Sequence, residues 1–456
     1  MSDGAWVRID RIPLRAALRY PARALMASLL EHLGGFVSAL SAGQKKPQRK
    51  FLADAMAGVL GARSPLLSEW ARTLGEDAFI ESTITRLSRN LGSDRLDFDA
   101  VQHAYREQVA RFTRANEGRG VVVGIDYSDL SKPYANPDEN AGMEHVTTCW
   151  DGSKGSKGLG IPMAIAEAHL PTGERIPLDW HAFSFKEPGH LSQTNVFLDR
   201  LKVISHAVGP HGRYVLDRGF HGRAYLDGMD ELGLRWCVRL RLSGYGQRSL
   251  VDANGERLMA GEHALQAIPR YVYKMPTGRR RQKHRTHTRI EIGARKVFIA
   301  LEHGKVDPTP RLLVVAWGLG KDPIALLCSE YEAGRAGALS AFKDYGRRWE
   351  AEESMRQASQ RTAWGFDLES VLVYRFKALR RLVALVAMAQ GFLGMMNSKP
   401  VVRERMLRLV KMLRKAHRKD MGYALARAIG QVIERTARPV LAAWRMDPDP
   451  SPDGDG

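Results

Sequence analysis

Cysteine is nearly absent: three residues in 456, at Cys149, Cys237 and Cys328, with no CxxC pair among them. That excludes a disulfide framework and the common cysteine-based zinc patterns, and points to a reducing compartment, the cytoplasm. The 14 histidines are scattered, with no HExxH and no regular Cys/His spacing, so zinc chemistry is set aside. Long hydrophobic runs are missing too. The longest, residues 382–396, is interrupted by Gln390 and glycines and follows Arg380 and Arg381. It falls short of the ~20 apolar residues a membrane span needs, so it reads as a buried helix and no membrane partner is expected. The Arg-rich start has no secretory h-region, and Asp3 and Asp10 argue against a transit peptide.

Acidic residues are in deficit. Fifty Asp and Glu stand against 69 Lys and Arg, a formal charge of +19. An excess of cations spread along the chain calls for a polyanionic partner, because neutralising phosphates releases counterions. Charge alone does not separate DNA from RNA or an anionic surface. What remains is ordinary for a globular protein: 44% apolar and 26% charged residues, with length enough for two to four domains.

Residues 1–116 read as an N-terminal helical region with arginines between short helices, expected to bind DNA. Pro47 and Ser64-Pro65 are read as helix starts. Near residue 120 the pattern turns to strands at 121–125, 147–150, 161–170 and 175–185, the last two joined by Pro171-Thr-Gly173 as a hairpin. A helix at 191–207, a strand at 213–216, a helix at 225–232 and a strand at 235–240 follow, which argues a mixed α/β sheet. Residues 243–330 read as a β-rich insertion, with strands at 289–292, 296–301, 312–317 and 324–328 and a basic stretch at 279–285. A helix at 338–360 and two more at 368–396 and 402–444 close the fold. The expected organisation is a core of 117–242 and 331–397 around the insertion, a basic helical region at 398–446, and a disordered tail at 447–456.

The chemistry concentrates in three places. Val121-Val-Val-Gly-Ile-Asp126 and Tyr214-Val-Leu-Asp217 each set an aspartate after a short apolar strand. Tyr345-Gly-Arg-Arg348-Trp-Glu-Ala-Glu352 places a phenol, a guanidinium and a carboxylate at i, i+3 and i+7, on one face of a helix turning about 100° per residue. Two strand-borne aspartates and a helical glutamate suit a two-metal phosphodiester site. Hard Mg²⁺ takes oxygen ligands, one or two carboxylates per ion. Asp126 is expected to bridge two Mg²⁺ ions, with Asp217 and Glu352 each holding one; Mn²⁺ is able to substitute. Taken singly, each aspartate could be a loop cap, and Arg348–Glu352 could be a surface pair worth ~0.3–0.5 kcal/mol. Asp179, His181, His190 and His221 are given structural roles, since a two-metal site needs no histidine.

These segments resemble the catalytic core of bacterial insertion-sequence transposases of the DDE class, whose helix carries Y-x2-R-x3-E-x6-K. Tyr345, Arg348 and Glu352 match in type and spacing, and the resemblance covers roughly residues 48 to 395. It implies a ribonuclease-H-like fold with a β-rich insertion and helical regions at both ends. It also implies Mg²⁺-dependent cleavage and strand transfer, with double-stranded element ends and target DNA as partners. A homodimer or larger synaptic complex in a bacterial, nucleoid-associated setting goes with it. The family lysine would fall at Ser359. Arg356, about 20° from Tyr345 around the helix, is expected to take over its phosphate contact. Tyr345, Arg348 and Arg356 are thus the expected DNA contacts. Two alternatives stay open: a ribonuclease-H-like nuclease that cuts without joining, and a decayed copy that only binds DNA.

Overall fold

The computed structural model describes residues 22–115, 120–132, 135, 143–151, 155–266, 270–276, 287–330, 332, 334–348, 366, 368–371, 373–409, 421–436 and 438–448. The expectations for residues 1–21, the basic stretch 279–285, Glu352, Arg356, Ser359 and most of the tail lie outside these residues.

Five helices come first: α1 (Ala22–Leu40), α2 (Lys46–Ala62), α3 (Leu67–Leu74), α4 (Ile80–Gly92) and α5 (Phe98–Arg114). Pro47 opens α2 as its sequence suggests, where a missing N–H costs nothing. Ser64-Pro65 does not open α3. The Ser64 hydroxyl accepts the Leu66 N–H, its carbonyl takes the Trp70 indole, and the helix starts at Leu67.

The sheet follows: β1 (Val122–Ser131), β2 (Thr147–Asp151), β3 (Ser156–His169), β4 (Arg175–Ala182), α6 (Gln193–Val208), β5 (Arg213–Leu216), α7 (Arg223–Glu231) and β6 (Arg235–Arg239). β3 runs antiparallel to β1 and carries both β2 and β4 on its far side, end to end. On the other side of β1, β5 and β6 run parallel to it. The order β4-β3-β1-β5-β6, with helices on both faces, is a ribonuclease-H-like mixed sheet.

Residues 243–330 extend that same sheet. They supply β7 (Ser249–Asp252), β8 (Arg257–Met259), α8 (Ala260–Leu265), β9 (Arg270–Pro276), β10 (His287–Ile299), β11 (Arg311–Trp317) and β12 (Ile324–Cys328). β12 pairs antiparallel with β6, making one 12-stranded sheet. The two strands expected at 289–292 and 296–301 are a single strand, β10. Gly293 sits in its middle, opposite Val315 on one side and Arg270 on the other. Pairing on both edges holds the backbone extended where a glycine alone reads as a break.

The helices α9 (Arg335–Gly346), α10 (Phe376–Asn397), α11 (Pro400–Leu409), α12 (Met421–Glu434) and α13 (Arg438–Met446) complete the chain. Where one helix was expected over 402–444, the described residues form three. Pro439 allows only the first turn of a new helix, α13. α10 is long and apolar enough to cross a membrane, yet 83% of its apolar window is buried in the protein, against β4, α2 and α12.

Strand alternation sorts the core into two sides. Val123, Ile125, Tyr214, Leu216, Trp236 and Val238 join the large core shared with α5, α6, α7 and α10. Val122, Val215, Cys237 and Leu326 point the other way and meet Ala338, Ala341, Phe342 and Tyr345 of α9. At the helical end, Arg445 of α13 reaches back to Asp54 of α2 at 2.6 Å and also to Glu76. Arg86 and Lys50 bind the same two acids. Described helices from before and after the sheet thus build one helical layer.

Candidate active site

The face that meets α9 also carries the chemistry. Ile125 pairs with Leu216, and Leu216 with Val238, as the last registered pairs of β1, β5 and β6. The next residues, Asp126, Asp217 and Arg239, therefore form a row at the carboxyl ends of three parallel strands, about 4.8 Å between neighbours. By the two-residue alternation they continue the columns of Val122, Val215 and Cys237, toward α9. Asp126 was expected at a strand end. It lies inside β1, which runs on antiparallel to β3 as far as Ser131; the parallel pairing with β5 is what ends beside it.

α9 and the residues just after it supply the other half. Tyr345 is buried, and its hydroxyl donates to Asp217 Oδ1 at 3.4 Å. Arg348 is buried as well, and its Nη1 donates to Asp126 Oδ2 at 2.6 Å. Its guanidinium also lies 5.6 Å from the Tyr345 ring centroid. The tyrosine and arginine of the motif thus each meet one of the two aspartates. The continuous helix expected at 338–360 is tighter here. α9 closes at Gly346, and Arg347 N–H turns back to Asp344 O, a three-residue closure consistent with glycine's weak helix propensity. Arg348 resumes helical geometry. Glu352 and Arg356, one and two turns further in sequence, lie outside the described residues.

Neighbouring aromatics fix the two acidic segments to each other. Tyr127 N–H donates to Asp126 Oδ1 at 2.9 Å, and the Tyr127 ring stacks on Phe220 with centroids 4.8 Å apart. Phe220 closes the short turn Arg218–Phe220 that Asp217 opens, by donating its N–H to the Asp217 carbonyl. The Tyr127 hydroxyl is held by Gln193 O. Burial raises the Tyr345 phenol to about 12, against the pull of Arg348, so it stays a neutral donor.

Sequence reasoning missed Arg239, which completes the row and whose charge acts on the Tyr345 phenol. Aligning the end of β6 with Tyr214-Val-Leu-Asp217 as parallel neighbours would have found it. Beside it opens a cavity of about 700 Å³ lined by Arg218, Arg239, Arg241 and Tyr245, the last 98% exposed, and also by Glu262 and Asp322. Three of the four residues given structural roles pack elsewhere, while the fourth, His221, follows the turn that Asp217 opens. Asp179 pairs with Arg200 and, more loosely, with Arg106. His181 is partly buried, and desolvation together with Arg200, Arg380 and Arg106 lowers its pKa well below the usual histidine value. His190 stacks on Phe183.

The arrangement offers two adjacent carboxylates, hard oxygen donors of the kind Mg²⁺ selects, beside a groove in which three arginines outnumber two acids. Among the described residues no three His, Cys, Asp or Glu side chains gather into a metal cluster. Asp126 and Asp217 supply two carboxylates, one fewer than the expected set.

No protein-family model and no curated protein matches the chain. Among solved structures it is similar to a piggyBac transposase synaptic complex with hairpin DNA, at 9% identity and a TM-score of 0.35, covering 96% of this chain and 87% of that one. A likeness that distant carries no argument about family or activity.

Proposed function

We propose that the chain is a DDE-class DNA transposase that cleaves element ends and joins them to target DNA. The observation that carries this reading is the pairing of Tyr345 with Asp217 and of Arg348 with Asp126. Residues 345 and 348 were singled out by a spacing motif, the aspartates by strand context, and they meet at one place. Asp126, Asp217 and Glu352 are the proposed ligands of two Mg²⁺ ions. Bound there, the ions would activate a water or 3′-hydroxyl and stabilise the leaving oxygen.

The protein's own groups do the rest. Arg348 exchanges its bond to Asp126 for two oxygens of a phosphate when substrate arrives, a bidentate contact suited to a guanidinium. Tyr345, kept protonated, donates to the same phosphate region. Arg218, Arg239 and Arg241 carry the strand away along the groove, and the basic N-terminal helices and Arg356 add phosphate contacts. Two DNA ends acted on together call for a dimer or larger synapse.

The test is cleavage of a labelled duplex bearing the terminal repeats that flank the gene, with and without Mg²⁺. Wild type is expected to nick at the boundary and join the 3′ end to target, and Asp126→Ala and Glu352→Ala to do neither. Nicking without joining would favour a nuclease. Specific binding with no cleavage by wild type would leave a DNA-binding protein.

A further inference from the structure

The connection between β4 and α6, residues 183–192, presents two large apolar side chains to water: Phe185 is 51% exposed and Leu191 79%. Scattered exposed apolar residues are ordinary on a protein surface. This loop, however, is braced along its length. The Ser184 hydroxyl donates to His145 O and accepts the Lys186 N–H. Both carboxylate oxygens of Glu187 accept from Arg380 of α10, and the Glu187 carbonyl accepts the His190 N–H. The His190 ring stacks on Phe183, 6° from parallel, and Phe185 packs edge-on against both, at 5.3 Å from His190 and 5.8 Å from Phe183. Phe185 is a half-bare ring on a stiff backing.

Sheet order puts that ring on the edge that carries the acids. Ala182 pairs with Met163 of β3, and Met163 with Ser128 of β1, so β4 ends level with a point two residues past Asp126. Two strand spacings, about 10 Å, separate β4 from β1. Tyr127 ties the loop to the site: its ring lies 6.2 Å from Phe183, and its hydroxyl donates to Gln193 O. From β4 through β6 the edge therefore carries Phe185, Asp126, Asp217 and Arg239 in that order. The acids stand between an apolar ring on one side and the arginine-lined groove on the other.

The groove, and the exposed Lys186 beside the ring, suit phosphates. A phenyl ring has nothing to offer a phosphate, but it can enter a base stack. Inserting an apolar side chain costs a few kcal/mol of unstacking and is repaid by the contacts that the bent duplex makes. We propose that Phe185 is a wedge that enters the element-end duplex at a base step about three pairs from the scissile phosphate. The distance follows from the ~10 Å between β4 and β1 and a rise of about 3.4 Å per pair. The kink turns the duplex across the sheet edge, onto Asp126 and Asp217. This rests on the proposed reading of the site as one that cleaves DNA.

The test reads the shape of the DNA rather than its cleavage. The full chain, without metal, is mixed with the terminal-repeat duplex carrying 2-aminopurine at successive positions on either side of the boundary. That base brightens where stacking is lost. Wild type is expected to give a rise confined to one step about three pairs from the boundary. Phe185→Ala is expected to lose the rise and still bind, since the phosphate contacts remain, and Phe185→Leu, which keeps an apolar wedge, to retain part of it. Leu232→Ala removes an exposed apolar side chain beside the amino-terminal end of β6, at the opposite edge, and is expected to match wild type. Wild type that binds the repeat with no rise at any position, or a rise that persists in Phe185→Ala, would overturn the wedge. A scrambled duplex separates this from the reading beneath it. Equal binding of repeat and scrambled duplex, with a rise still lost in Phe185→Ala, would uphold the wedge and remove the end-specific transposase. Binding of neither duplex would overturn both.

Discussion

The Arg348 guanidinium meets the Asp126 carboxylate at 2.6 Å, joining residues 222 positions apart. Their side chains are only 3% and 13% exposed. Truncating one partner leaves the other charge unpaired away from water, so Arg348→Ala is expected to cost about 3 kcal/mol. Urea melts would show a lower midpoint with an unchanged slope. Arg348→Lys should recover only part of this, because a point charge does not replace a planar fork. A wild-type midpoint in the alanine variant would contradict the pairing.

Alkaline stability should report on Tyr345. Its phenol titrates normally near 10 and is raised by burial to about 12. The folded state thus holds the proton more tightly than the unfolded one. Its contribution is complete below about pH 10 and is lost as pH rises toward 12. Tyr345→Phe should flatten stability across that window, in urea melts taken at each pH. Tyr105, Tyr127 and Tyr214 are raised by burial in the same direction, so a residual alkaline slope is expected in the variant.

Part of the acid limb belongs to Glu76. Burial would raise its carboxyl, but hydrogen bonds from Arg86 and Thr83 and the charges of Lys50 and Arg86 outweigh that and lower it from 4.5 to about 2. A depressed carboxyl stabilises above its unfolded value, and that contribution disappears as pH falls from about 4.5 to about 2. Glu76→Gln should lose this part of the slope, keep the part that the lowered Asp252 carboxyl supplies, and be less stable than wild type at neutral pH. An acid limb identical in the two proteins would remove Glu76 as its source.

Gly394 tests how closely α10 lies on the sheet. A Cβ there would fall 2.4 Å from the Arg175 carbonyl and 2.9 Å from Ile176. At Gly391 it would meet the Tyr105 hydroxyl at 2.1 Å. Backbone and a hydrogen-bonded ring cannot yield cheaply, so Gly394→Ala should destabilise by about 1–3 kcal/mol despite its better helix propensity. Thermal melting would show it; an unchanged or higher midpoint would mean that α10 shifts freely.

Those two glycines also show where sequence was a poor guide. In the chain they read as interruptions of an apolar run, and in the fold they are the points of closest approach. Gly293 misled in the same way, because pairing on both edges of β10 is a tertiary fact. The aspartates could be singled out because each follows a short apolar run, although only the parallel pairing ends beside Asp126 and the strand itself runs on. Tyr345 and Arg348 were legible because helical spacing survives the tightened turn at Gly346. Arg239 and Phe185 were not. One acquires meaning only from the register of β6 against β5, the other only from the order of β4, β3 and β1 in the sheet.

Arg445 reaches Asp54 across 391 residues. A ribosome adding about 5–20 residues per second needs on the order of 20–80 s to cover that stretch. Throughout that interval α2 has emerged with its buried acid answered only by Lys50 and Arg86, and with its α12 and α13 packing surfaces bare. The amino-terminal helices are made first and finished last. This chain should depend on holdase protection during synthesis more than its ordinary composition suggests, and a stop codon a few turns early should destabilise the beginning of the protein.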